Sequence, residues 1–202
     1  MSVTTPSKLQ KMIASGNFAV TSEVGPPRSA DGAVIERKGN LIKDYVDAIN
    51  VTDNQTSVCR VCSLACCIRL KLMGLEPCLQ MVTRDRNRIA LQSDILGAAS
   101  FGIDNILCLT GDHQSFGNHP QAKGVHDLDA INLIKMYKDM RDEKKFKCGE
   151  EMTVAPPLYI GCAENPFSDP FACRALRPRT KVKEGHAFRQ THCIHNYPKY
   201  TQ

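Results

Sequence analysis

Tryptophan is missing from this chain, and Tyr and Phe are scarce enough that aromatics make up only 6% of it. A nucleic-acid-binding surface interleaves aromatics with a clustered basic stripe, and neither is present, so that class is excluded. The formal net charge of +5 is modest, with much of it near the C-terminus in Arg174, Arg177, Arg179, Lys181 and Lys183. It suits a polyanionic small ligand. No apolar run approaches the ~18 residues of a membrane span. Residues Met1 to Val20 lack the basic-then-apolar layout of a secretory signal. Ten cysteines without an export signal are expected as free thiols in a reducing cytosol, and a cytoplasmic location follows. The common fingerprints are missing too: no G-x-G-x-x-G after a strand, no G-x-x-x-x-G-K-[ST], no G-x-S-x-G and no H-E-x-x-H.

What is present is an alternation of strand and helix. Phe18–Glu23 reads as a strand stopped by Gly25-Pro26-Pro27, because proline cannot donate a ladder hydrogen bond. Further strands are expected at Ala48–Thr52, Cys78–Thr83, Asn105–Thr110, Leu158–Ala163 and Phe188–Ile194. Helical patterns fall between them, at about Asp31–Asp44, Val58–Met73, Asn87–Phe101 and Leu128–Met140. Short apolar strands separated by 10–15-residue helices specify βαβ units, a parallel sheet and the α/β class. Right-handed crossovers put every strand C-terminus on one face, where such folds carry their chemistry. The residues there are Glu23, Thr52, Asp53, Gln80, Thr83, Asp112, Ala163 and His192. Mostly neutral hydrogen-bonding groups with isolated acids suit an uncharged polar ring system and one proton-transfer residue.

Three stretches carry a resemblance. They are Val51-Thr-Asp-Asn-Gln55, Leu79-Gln-Met-Val-Thr-Arg-Asp-Arg-Asn-Arg-Ile-Ala-Leu-Gln-Ser-Asp94 and Asn105-Ile-Leu-Cys-Leu-Thr-Gly-Asp-His-Gln-Ser-Phe-Gly-Asn-His-Pro120. With Ser22-Glu23-Val24-Gly25-Pro26-Pro27 at the first strand end, they resemble methylenetetrahydrofolate reductases of the variant found in anaerobes and acetogens. The resemblance implies a (β/α)₈ TIM barrel, of which residues 1–202 would form a single partial domain with about six βα units. It further implies bound FAD and reduction of 5,10-methylenetetrahydrofolate to 5-methyltetrahydrofolate in one-carbon and methionine metabolism. The electron donor would be NAD(P)H or a redox partner protein.

By this similarity Glu23 is the general acid that protonates a folate ring nitrogen; desolvation under a flat cofactor would let it hold its proton near neutral pH. Asp112 resembles an acid that helps bind folate and tunes the flavin, although an Asp after Gly111 is also a natural turn cap. Leu109, Thr110, Gly111 and Ala163 would touch flavin through the backbone, Thr52 and Gln80 through side chains, and Lys181 on the phosphate side. His192 stands where the family has a folate-binding glutamine.

Cys59-x-x-Cys62-x-x-x-Cys66-Cys67 admits an iron–sulfur or zinc reading, since positions three and four apart share a helix face. Structural zinc sites pair such a knuckle with a second ligand pair in a turn, whereas this one falls in an amphipathic helix, so the expectation is packing and no metal. His113, His119 and His126 read as loop polarity or substrate contacts. At ~250 residues for a complete barrel, 202 residues leave strands seven and eight unaccounted for. An open six-stranded sheet has two unpaired edges. Pro178 interrupts the helix before strand six, and Arg189 is expected to face the outer helix layer as a buried, unpaired cation. The segment from about Pro178 onward is therefore expected to be poorly docked. Three functional classes follow: an active flavoenzyme, a non-catalytic remnant or subunit completed by a partner or a second copy, and a cysteine-rich electron-transfer module.

Overall fold

The computed structural model of the chain describes residues 6–165, 180–181 and 183–191. Six strands, β1 (Thr21–Val24), β2 (Ala48–Val51), β3 (Pro77–Val82), β4 (Asn105–Leu109), β5 (Tyr159–Glu164) and β6 (Phe188–Thr191), form one sheet in sequential order. Every neighbouring pair is parallel. Between them run α2 (Ala33–Ile42), α3 (Ser63–Leu72), α4 (Arg88–Ser100) and α5 (Ala130–Asp142). Strands β2 and β3 are buried along their whole length, as expected of parallel strands covered on both faces. Asn87 starts α4 by accepting from the amides of Ile89 and Ala90, and Asp129 starts α5 by accepting from that of Asn132.

Period-two alternation divides the strand side chains into two cores. Outward residues Val24, Ile49, Val51, Leu79, Met81, Ile106, Cys108, Ile160 and Cys162 pack with Ile35, Leu70, Leu91, Ile95, Ile134 and Tyr137 of the helices. Inward residues Ala48, Cys78, Leu107, Tyr159 and Phe188 form a second cluster around Leu9. The sheet curls enough that Gln190 Nε2 of β6 donates to Asn50 Oδ1 of β2 at 2.8 Å, across three intervening strands. The architecture is a partial (β/α) barrel.

Leu9 belongs to α1 (Lys8–Ala14), an element that the sequence reading does not anticipate. Ser7 caps it and donates to Asn105 Oδ1 at 2.6 Å, while the amide of Lys8 donates to Glu76. The helix thereby plugs the N-terminal end of the sheet. Two other expectations shift. β1 starts at Thr21, with Phe18 exposed before it. α3 starts at Ser63 and not near Val58, because Asn54, Thr56 and Ser57 take left-handed backbone that no helix continues.

Strand six departs most from expectation. Phe188–Thr191 pairs in register with Gly161–Glu164, and the Phe188 ring stacks on Tyr159 at 5.0 Å between centroids. Gly161 makes room for it; a Cβ there would collide with the ring. Arg189 does point away from the interior, as alternation requires, but its side chain is 47% exposed and pairs with Glu164 Oε2 at 3.4 Å. A guanidinium that stays in water incurs little desolvation, so the expected penalty on docking is absent for these four residues. Pro178 and His192 lie outside the described residues.

The thiols divide sharply. Cys66, Cys67, Cys78, Cys108 and Cys162 are buried, whereas Cys59, Cys62 and Cys148 are exposed. Burial pushes the Cys66 thiol up to about 11 and that of Cys78 to about 12. Since the thiolate is the nucleophile, a thiol-modifying reagent on the folded protein should label Cys59, Cys62 and Cys148 at least tenfold faster than those five, read by peptide mapping. Uniform labelling would contradict this packing.

Candidate functional site at the strand C-termini

Beyond the apolar inward cluster, the next inward position is polar or small on every strand but β4, where it is Leu109. Glu23 on β1 lies in register with Asn50 on β2. Gln80 on β3 follows Cys78, Leu109 on β4 follows Leu107, and Gln190 on β6 pairs in register with Ala163 on β5. Thr52 is the inward residue just past β2. The mouth of the partial barrel therefore combines neutral hydrogen-bonding groups (Asn50, Thr52, Gln80 and Gln190) with the apolar Leu109 and Ala163 and the carboxylate of Glu23.

Their hydrogen bonds differ in an informative way. Glu23 is exposed and has no hydrogen-bond or ion-pair partner among the described residues. Asn50 Oδ1 accepts from Gln190 Nε2. Thr52 is 3% exposed, yet its Oγ1 has no partner among the described residues. Beside it lies Gly25, where a side chain would enter the space next to Thr52 Oγ1 and Gln55 Oε1. The Gln80 amide is likewise without a partner among the described residues, although Gln80 is 7% exposed. Buried polar groups are almost always paired, so unsatisfied ones at the mouth mark places where a ligand's polar edge would bind.

The turn that follows Glu23 is held by cations on its carbonyls. Lys38 Nζ donates to Gly25 O at 2.8 Å and Arg60 to Pro26 O at 3.1 Å. The Val61 amide completes the set on Pro27 O. Pro26 and Pro27 donate nothing of their own, so their carbonyls are left to recruit these partners.

The loop after β4 carries Thr110, Gly111 and Asp112, all exposed. Gly111 has φ +93°, a conformation natural to glycine, and it brings the loop within van der Waals range of Val82 and Arg84. Asp112 Oδ2 accepts from the Thr56 amide at 2.9 Å. This bond reaches a different loop, so it is a tertiary tie rather than the local turn cap that the sequence leaves open, and it occupies one carboxylate oxygen. Thr110 Oγ1 accepts from the Ala130 amide at 3.3 Å. Lys181 reaches the mouth from the segment before β6, where its Nζ donates to Ala163 O at 2.7 Å. His113 caps the short turn Gln114–Phe116 by accepting from the Ser115 amide.

Under this rim lies a network that the sequence reading underrates. The Asp53 carboxylate is fully buried, accepts from the Val82 amide at 3.0 Å and meets Arg86 at 2.6 and 3.2 Å. Arg86 also donates to Asp94 of α4 at 2.9 Å. Burial works against the Arg86 charge, and the Asp53 and Asp94 carboxylates outweigh it, so its pKa is raised. Arg84, 2% exposed, forms a two-pronged pair with Asp85 at 2.7 Å. The available signal was Thr83-Arg-Asp-Arg86 itself: alternating charges straight after a fully buried strand have to be paired there, since buried charges persist only when paired.

Cys59 and Cys62 precede α3 and do not lie within it, with the Cys59 amide donating to Asn118 Oδ1 at 3.1 Å. Among the described residues no three His, Cys, Asp or Glu side chains are grouped to hold a metal ion.

The sequence profile of the family described as methylenetetrahydrofolate reductase matches residues 8–202. No curated protein matches the chain. Among solved structures, the chain is similar to a protein from Clostridium thermocellum described as binding two copies of 5-methyl-5,6,7,8-tetrahydrofolic acid. The TM-score is 0.61 at 13% identity, over 96% of this chain and 61% of that one. A likeness to a GH18 chitinase from Pseudoalteromonas aurantia, with TM-score 0.43 and 10% identity over 90% of this chain and 69% of that one, is too low to inform the fold. The chain thus spans less than two thirds of the Clostridium protein, and at this identity the similarity establishes a shared fold.

Proposed function

From the premise that the chain belongs to the methylenetetrahydrofolate reductase family, we propose that its barrel mouth binds a flavin and a reduced folate, and that it reduces 5,10-methylenetetrahydrofolate to 5-methyltetrahydrofolate. One observation carries the reading. Among the described residues Glu23 is a carboxyl without a partner at the mouth, on the strand beside the one that leads to the buried, unsatisfied Thr52 Oγ1. The folate-binding neighbour of the same fold supports the choice of substrate class.

The residues present fit a flavin. Thr52 Oγ1, buried and without a partner among the described residues, and the neutral Gln80 amide suit the polar edge of an uncharged ring. The exposed backbone at Thr110 and Gly111, with Leu109 and Ala163 beneath, offers a surface of small and apolar character. Lys181 keeps two N–H donors beyond the one given to Ala163 and would face a phosphate. When bound, a flavin would supply the hydride, with NAD(P)H or a redox partner protein as the source of electrons.

The chain's own residues do the rest. Flat ligands stacked over the mouth would shield Glu23 from water and place its carboxyl against the folate. From there it donates the proton to a folate ring nitrogen, opening the five-membered ring to an iminium that accepts hydride. Asp112, with one oxygen committed to Thr56, has the other available for folate. Its negative charge disfavours an anionic reduced flavin. Asp112→Asn should therefore raise the flavin potential, on the order of tens of millivolts, and weaken folate binding. The amide oxygen can still cap Thr56, which keeps the loop in place. Redox titration checks this, and an unchanged potential removes the electrostatic role.

A second reading has its own observation. Among the described residues, the outer edges of β1 and β6 pair with no strand, and unpaired edges are natural sites for another chain. The reductase would then work as a subunit or homo-oligomer, which sedimentation of the purified protein measures.

A further inference from the structure

We propose that Arg84 is a positioning residue whose single buried guanidinium locks the loops after β2, β3 and β4 into one surface and fixes Asp112 for folate. The inference rests on the functional reading above for what Asp112 binds, but not for the lock itself. Arg84 stands two residues past β3. Its Nη1 donates to Ser57 Oγ at 2.8 Å and to Asp112 O at 2.9 Å, and its Nη2 to Asn54 O at 3.3 Å. Nε and Nη2 close on Asp85. The Arg84 amide donates to Thr110 O, and its carbonyl accepts from the Val125 amide at 2.7 Å. One residue thus holds both ends of the β4 loop and the middle of the β2 loop.

The backbone records what this lock maintains. Asn54, Thr56 and Ser57 have φ of 43°, 58° and 56°, left-handed values that L side chains rarely adopt. Such conformations persist where surrounding bonds over-determine them. Here the bonds are those of Arg84 to Asn54 and Ser57, and of Asp112 to Thr56 and Ser57. Ser57 Oγ itself donates to the Asp112 carbonyl at 2.8 Å. Gly111 completes the geometry, since a Cβ there would crowd the Arg84 side chain at 3.3 Å. A lysine offers one tetrahedral donor group in place of five planar ones and cannot span these acceptors.

Arg84→Ala and Arg84→Lys test the assignment in the full chain with FAD added. 5-Methyltetrahydrofolate is titrated by calorimetry, and amide hydrogen exchange is followed in parallel. Both variants should raise the folate dissociation constant about tenfold with the number of sites per chain unchanged. The amides of Thr56, Ser57, Cys59 and Val125 should exchange faster together, while those of β3 and β4 keep their protection. Millimolar guanidinium, filling the hole in Arg84→Ala, should restore part of the affinity, and the same concentration of urea should not. Fewer sites with an unchanged constant would mean that Arg84 only supports folding, and this overturns the proposal. Loosened loops with unchanged affinity overturn it as well. Wild-type protein that binds no folate overturns the functional reading instead. The lock then stands if the loop amides of Arg84→Ala exchange faster and guanidinium slows them again, and falls if they are unchanged.

Discussion

Glu23→Gln should slow reduction of methylenetetrahydrofolate by ~10²–10⁴-fold, the usual contribution of a positioned general acid, while the flavin is still reduced by its donor at close to the wild-type rate. The asymmetry follows from where the proton is needed. Opening the folate ring requires protonation of a ring nitrogen, and hydride transfer into the flavin does not. The structure makes the substitution a clean one. Glu23 is exposed and has no hydrogen-bond or ion-pair partner among the described residues, so its amide should change stability by no more than ~0.5 kcal/mol. Stopped-flow measurement of the two half-reactions separates them. Equal loss in both would make Glu23 a structural residue, and full activity in both would take the proton donor elsewhere.

Asp53→Ala should cost about 3–5 kcal/mol of stability, because it leaves Arg86 with its principal partner removed and the Val82 amide without an acceptor. That is a large share of the ~5–15 kcal/mol that holds a typical domain together. Asp94 remains to Arg86 but contacts only its Nε. Pairing Asp53→Leu with Arg86→Met removes both charges and should recover much of the loss, since the cost lies in the unpaired member rather than in the absence of the pair. Denaturant unfolding of the two single variants and the double gives the coupling directly. A loss below about 1 kcal/mol for Asp53→Ala would show that water reaches Arg86 and that the network is not the foundation of the rim.

The sheet was legible because β2 to β5 are largely buried on both faces and read as short apolar runs, whose limits the structure moves by at most one residue. Side-chain direction was legible as well: alternation puts Phe188 and Gln190 inward and Arg189 outward, as found. Its environment was not, because whether an outward cation meets a helix or water depends on packing several elements away. α1 escaped because its sequence buries only Leu9, and one apolar contact leaves no periodic trace. The start of α3 was misplaced for a related reason. Val58 and Val61 continue the apolar pattern, but the left-handed turn at Asn54–Ser57 is held by Arg84 and Asp112, tens of residues away. In the site, Glu23, Thr52 and Gln80 follow from strand ends and alternation. The buried pairing of Asp53 with Arg86, and the reach of Arg84 into two neighbouring loops, are tertiary facts that charge alternation in Thr83–Arg86 only suggests.

The account stands most directly on whether this barrel mouth passes hydride to a folate. Purified protein loaded with FAD, reduced under anaerobic conditions and mixed with 5,10-methylenetetrahydrofolate, should regain the visible absorption of oxidised flavin as 5-methyltetrahydrofolate appears in equal amount. Flavin that binds but stays reduced in the presence of excess folate, or a chain that retains no flavin at all, would contradict it.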